Sequence, residues 1–139
     1  MRVLIANENP KERAALTRLL SGYVDVAEAG NGDDLLSQFE EGIQGGAPFG
    51  IVIVDLALPP VDDLDVLTAL RHIEESHGIW GQESAKVVAL FDAASNNDDY
   101  DTDVHSCEEL LTKPIDSKRL IEIVLRAKAT STDPREFLH

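Results

Sequence analysis

Cysteine is nearly absent: Cys107 stands alone among 139 residues. That excludes an internal disulfide framework and suits a reducing compartment. Positive charge is also scarce, with 12 Lys and Arg against 26 Asp and Glu, a formal charge of −14. A duplex phosphate backbone would be repelled, which argues against direct nucleic-acid binding. No apolar run approaches the length of a membrane span, and no basic region with an apolar core opens the chain. The four histidines are scattered without metal-ligand spacing. These absences predict a soluble, cytoplasmic, acidic protein that touches neither membrane nor nucleic acid. The length fits one domain able to bury a real core.

What is present centres on Ile51-Val52-Ile53-Val54-Asp55-Leu56-Ala57-Leu58-Pro59-Pro60. Four β-branched residues run into an aspartate, and two prolines then forbid the strand from continuing. An apolar run without alternation reads as a strand buried on both faces of a parallel sheet. Asp55 then sits at the carboxyl end of a central strand, where open α/β sheets place their ligands. An aspartate before prolines is also a common turn cap, so its company elsewhere decides its meaning.

Arg2-Val3-Leu4-Ile5-Ala6 is a second buried-type strand. Asn9 and Pro10 start a helix whose apolar face is Ala14, Leu16, Leu19 and Leu20, with Gly22 as its stop. Tyr23-Val24-Asp25-Val26-Ala27 alternates as an edge strand would. A short helix follows over roughly 34–41, and a glycine-rich link over 42–50 leads to the central strand. Beyond Asp62 and Asp63 the spacing of Val66, Leu67, Leu70 and Ile73 predicts a helix from about Leu64 to Ser76. A long polar connection carrying Trp80 leads to a strand over 86–91. The segment 92–106 is rich in aspartate and predicts only a short or frayed helix. Glu109-Leu110-Leu111-Thr112 is a brief fifth strand closed by Lys113-Pro114. Asp116 or Ser117 caps a last helix carrying Leu120, Ile121, Val124 and Leu125. Five strands alternating with helices predict an α/β, doubly wound parallel sheet. Residues 1–129 are expected to form the domain, and 130–139 a flexible tail or the start of a linker.

Asn7-Glu8 after strand one, Asp55 after strand three and Lys113-Pro114 after strand five should meet at one edge of that sheet. This layout resembles the receiver domain of two-component response regulators, over nearly the whole chain. Asp55-Leu56-Ala57-Leu58-Pro59 is similar to the family's phosphoacceptor box, and Lys113-Pro114-Ile115-Asp116 to its usual ending. The resemblance implies a flavodoxin-like, five-stranded sheet of order 2-1-3-4-5. It implies phosphoryl acceptance on Asp55, with Lys113 pairing with the phosphoryl oxygens. It also implies a Mg²⁺ cofactor held by Glu8, Asp55, the backbone carbonyl of Ala57 and, weakly, Asn7. The implied partners are a histidine kinase or phosphotransfer protein and a downstream output protein or domain. The protein is read as a signalling domain, not an enzyme.

Departures from the family pattern shape the expectation. Asn7 is neutral where an acid is usual, so the metal site loses one charge. Phe91 falls in the switch position that is ordinarily Ser or Thr, with Asp92 there if the register slips by one. Neither offers a hydroxyl, and a hydrogen bond to a charged phosphoryl group is worth about 1.5–3 kcal/mol. The aromatic partner of the switch is replaced by Leu110. Asp98, Asp99, Asp101 and Asp103 lie where receivers present a partner face, and together they would suit a basic surface. The expectation is an atypical receiver whose standard switch is degenerate. The alternative is a pseudo-receiver acting by phosphorylation-independent contacts. A haloacid-dehalogenase-type phosphatase would need an aspartate at position 57, which holds Ala57. A flavodoxin-type flavin site would need a hydroxyl- and glycine-rich loop where Asn7-Glu8-Asn9-Pro10 stands.

Overall fold

The computed structural model describes residues 1–61, 65–92 and 107–129. The expected helix over 92–106 beyond Asp92, the four aspartates 98, 99, 101 and 103, and the tail 130–139 lie outside the described residues. So do Asp62, Asp63 and Leu64.

Five strands form one parallel sheet: β1 (Arg2–Ala6), β2 (Asp25–Ala29), β3 (Ile51–Asp55), β4 (Lys86–Phe91) and β5 (Glu109–Thr112). Their order is β2-β1-β3-β4-β5, with every pairing parallel. The helices are α1 (Pro10–Leu20), α2 (Gly32–Gln44), α3 (Val66–Ser76) and α4 (Ser117–Ala129). The architecture is the doubly wound one that the sequence predicts.

The unbroken apolar runs find their explanation in two cores. Val3, Ile5, Ile51, Ile53, Val88 and Leu90 pack with Leu16 and Leu20 of α1 and Leu120 and Val124 of α4. Their strand neighbours Leu4, Val52, Val54 and Val87 pack with Leu35 and Phe39 of α2 and Leu67 and Leu70 of α3. Successive strand residues point to opposite faces, so a strand covered on both sides is apolar throughout.

Caps fall largely as expected. Asn9 accepts from the backbone N–H of Lys11 at 2.9 Å and of Glu12 at 3.3 Å. Asp116 accepts from Lys118 N–H at 3.0 Å, opening α4.

Three boundaries differ from the sequence reading. The second strand is Asp25–Ala29, not 23–27, because the N–H groups of Tyr23 and Val24 both turn back to the Leu20 carbonyl. The helix placed at 34–41 runs from Gly32 to Gln44, capped by Asn31, whose side chain accepts from Asp34 N–H at 2.7 Å. Gly42 lies inside it because a Cβ there would come within 3.0 Å of the Ala47 carbonyl. The glycine permits a close return of the chain and does not break the helix. The third helix begins at Val66, with Asp65 as its cap: the side chain accepts from Leu67 N–H at 2.9 Å.

Candidate functional site at the carboxyl edge of the sheet

Asp55 is the last residue of β3, level with Leu90 of β4, and only 5% exposed. One carboxylate oxygen, Oδ1, accepts from Ala57 N–H at 2.8 Å and so shapes the turn out of the strand. The other, Oδ2, accepts from Lys113 Nζ at 2.6 Å. Lys113 follows β5, and its backbone N–H donates to the Phe91 carbonyl at 2.8 Å. The Lys113–Pro114 peptide bond is cis. Asp55 and Lys113, expected to meet at this edge, are in direct contact.

Lys113 has a second carboxylate, Glu12 Oε1, at 2.9 Å. The Asn9 cap starts α1 beside the site and puts Glu12 in the first turn. Burial alone draws the Lys113 ammonium down, but its hydrogen bonds to Asp55 and Glu12 outweigh that and hold it above its ordinary 10.5. Glu12 is absent from the sequence-based set. An acid in the first turn of a helix reads as a complement to the helix dipole, and nothing in the sequence links it to position 113.

Asn7 continues β1 one residue past the pair Ala6 and Val54, which puts it beside Asp55. It is 1% exposed. Its Oδ1 accepts from Asn9 N–H at 2.8 Å, and its carbonyl accepts from Arg13 Nη1 at 2.6 Å. Its Nδ2 is buried with no hydrogen-bond partner among the described residues. Arg13 also holds Glu28, Nε to Oε1, at 3.0 Å. Arg13 is a further residue that sequence reasoning missed.

Glu8 is exposed, and among the described residues no group of three or more His, Cys, Asp or Glu gathers as a metal site. A hard divalent cation bound here would have to draw on the Asp55 carboxylate, the Ala57 carbonyl, Glu8 and several waters. Asn7 would contribute its side-chain oxygen only by releasing Asn9.

Phe91 ends β4 one residue beyond the level of Asp55, and it is half-buried opposite Thr112. Asp92 follows and is exposed. Leu110 is level with Ala89 and 43% exposed.

A second polar cluster lies at the opposite, amino edge of the sheet. Arg71 donates through Nη1 to Glu74 Oε1 at 2.8 Å and to the Ala85 carbonyl at 2.9 Å, and through Nη2 to Glu108 Oε1 at 3.1 Å. Glu74 is 2% exposed, and its Oε2 accepts from Ala85 N–H at 2.7 Å. Glu108 Oε2 accepts from Val87 N–H at 2.5 Å.

Fold and site together define a doubly wound parallel domain with a buried aspartate paired to a half-buried lysine at its carboxyl edge. The model of the response regulator receiver domain matches residues 3–125, and the chain belongs to that family of two-component signalling domains. Solved structures share the fold. One is the receiver domain of a Saccharomyces cerevisiae response regulator, crystallised with the histidine phosphotransfer protein upstream of it. It has a TM-score of 0.72 and 21% identity, over 96% of this chain and 93% of that one. A receiver domain protein from Clostridium thermocellum gives a TM-score of 0.69 at 19% identity, covering 91% and 92%. A receiver-modulated diguanylate cyclase from Pelobacter carbinolicus gives 0.66 at 18%, covering 93% and 92%. No curated protein matches the chain.

Proposed function

We propose that Asp55 accepts a phosphoryl group from a histidine kinase or phosphotransfer protein, and that the conformational response is atypical. The observation that carries this reading is the 2.6 Å contact between Asp55 Oδ2 and Lys113 Nζ at the carboxyl edge. A buried carboxylate can attack phosphorus only if the charge arriving with the phosphoryl group is met by preorganised positive charge. Asp55 supplies the nucleophilic oxygen, and Lys113 is already beside it to pair with a phosphoryl oxygen. The new O–P bond forms as the P–N bond of a phosphohistidine donor breaks. The imidazole keeps the electron pair and takes a proton from water. Mg²⁺, held by Asp55, the Ala57 carbonyl and Glu8 in a weakened site, would neutralise phosphoryl oxygen charge when bound.

The yeast relative crystallised with a phosphotransfer protein supports that partner class. The relative named as a receiver-modulated cyclase supports an output that lies outside the receiver itself. No described helix is long and apolar enough to cross a membrane, which agrees with a cytoplasmic signalling role. The net charge favours a basic protein surface as partner and disfavours nucleic acid. Asn7, with its oxygen committed to Asn9, and Phe91, with no hydroxyl, favour a second reading: a pseudo-receiver that signals by constitutive contacts.

Incubation with Mg²⁺ and acetyl phosphate, followed by intact mass, separates the two. The first reading expects one phosphoryl adduct that is lost in Asp55→Asn and in chelator. An adduct that persists in Asp55→Asn, or forms equally in chelator, contradicts it. No adduct at all favours the second.

A further inference from the structure

Lys113 is shared. Its ammonium lies 2.6 Å from Asp55 Oδ2 and 2.9 Å from Glu12 Oε1, so the two carboxylates can be no farther apart than those contacts laid end to end. Asn7, which follows β1 and lies beside Asp55, is neutral and offers the lysine no second anion. Glu12, from another element, takes that part. Its side chain is 42% exposed, and it lines a groove of about 440 Å³ between α1 and α4, so it can turn away into solvent. Lys113 has three ammonium donors, two of which are engaged among the described residues. A phosphoryl group on Asp55 would bring further negative charge into contact with the same ammonium. Like charges that close repel, and a single lysine cannot keep both in their best geometry.

We propose that Glu12 is a positioning residue that holds Lys113 beside Asp55 and restrains phosphoryl acceptance until it lets go. The inference rests on Asp55 being the acceptor, and it adds a residue outside the motif positions that the resemblance supplies. Glu12 does not touch the transferred atoms. It acts through the lysine and through its own charge.

The test compares the wild type with Glu12→Gln, which keeps the shape and loses the charge. Glu75→Gln, an exposed site at the far end of α3, controls for net charge. Uptake from acetyl phosphate breaks the P–O bond to acetate, which leaves as the Asp55 O–P bond forms, and intact mass follows it. Glu12→Gln should take up the phosphoryl group about two- to fivefold faster at low salt, the range of a partly exposed ion pair. The gain should shrink near 0.5 M salt, where the screening length is only about 4–5 Å, and Glu75→Gln should match the wild type. A second readout needs no phosphodonor: acylation of Lys113, followed by peptide mass, should be faster in Glu12→Gln. Equal uptake rates in wild type and Glu12→Gln, or equal Lys113 acylation, overturn the proposal while leaving Asp55 as acceptor. No adduct on any of the proteins overturns the acceptor reading, and the restraint falls with it; faster acylation beside that result would mean a held lysine without a phosphoryl role.

Discussion

Lys113 and Asn7 decide how the carboxyl edge responds to its solution conditions. The Lys113 ammonium is held above its ordinary 10.5 by Asp55 and Glu12, against the opposing pull of burial. A raised pKa in the folded state means that its stabilisation is fully present below the unfolded value and is lost as pH rises through the folded one. The advantage of the wild type over Lys113→Met, read as a urea midpoint, should therefore be flat from pH 7 to about 10 and shrink above that. An advantage already gone at pH 9 would contradict the assignment. Asn7→Asp returns one carboxylate to the edge, and Mg²⁺ affinity should tighten on the order of tenfold, since ligand charge tunes hard-cation sites. Calorimetric titration would show it; unchanged affinity would mean that the new carboxylate serves Asn9 N–H, as the asparagine oxygen does now. The positions of Asp55 and Lys113 are legible in the sequence because the one ends and the other directly follows a recognisable strand. Glu12 and Arg13 are not. They look like the ordinary charged residues of a helix's first turn, and their partners lie 101 positions away for Glu12 and 15 for Arg13.

At the scale of elements, continuous apolar runs made β1, β3 and β4 readable, since burial on both faces leaves no alternation to confuse them. Where the reading slipped, a local signal had two meanings. Tyr23 and Val24 have strand-type side chains but complete the turn after α1. Gly42 looks like a breaker, yet it lets the Ala47 carbonyl approach α2. The Arg71–Glu74–Glu108 cluster left no trace in the sequence because it joins α3 to two strand starts that only the fold brings together. Glu74→Ala removes one side of a buried charged network and strands the Ala85 N–H. Unfolding free energy should fall by about 3 kcal/mol, measured in urea. Phosphoryl uptake at Asp55 should be unchanged, because the cluster and the site are at opposite edges. A loss below about 1 kcal/mol would show that Arg71 and Ala85 find other partners.

For the whole molecule the question is how far a change at Asp55 spreads. A ligand shifts a two-state equilibrium only by its differential interaction with the two states. Phe91 brings no hydroxyl to a phosphoryl group, and the exposed Leu110 carries no ring to follow it. Beryllofluoride should therefore move the amide shifts around Asp55, Ala57 and Lys113 strongly and those of Leu110 and Leu111 weakly. Comparable shifts through β5 would reveal a switch built from other residues. The amino-edge cluster adds a mechanical consequence. Glu74 grips Ala85 just before β4, Glu108 grips Val87, and Arg71 fastens both acids to one helix. The two strands are thus pinned at one end like the reeds of an instrument. Under the proposed phosphorylation of Asp55, any displacement of these strands should be smallest at Val87 and Glu109, where they are clamped, and largest at Phe91 and Thr112, the ends that meet Lys113.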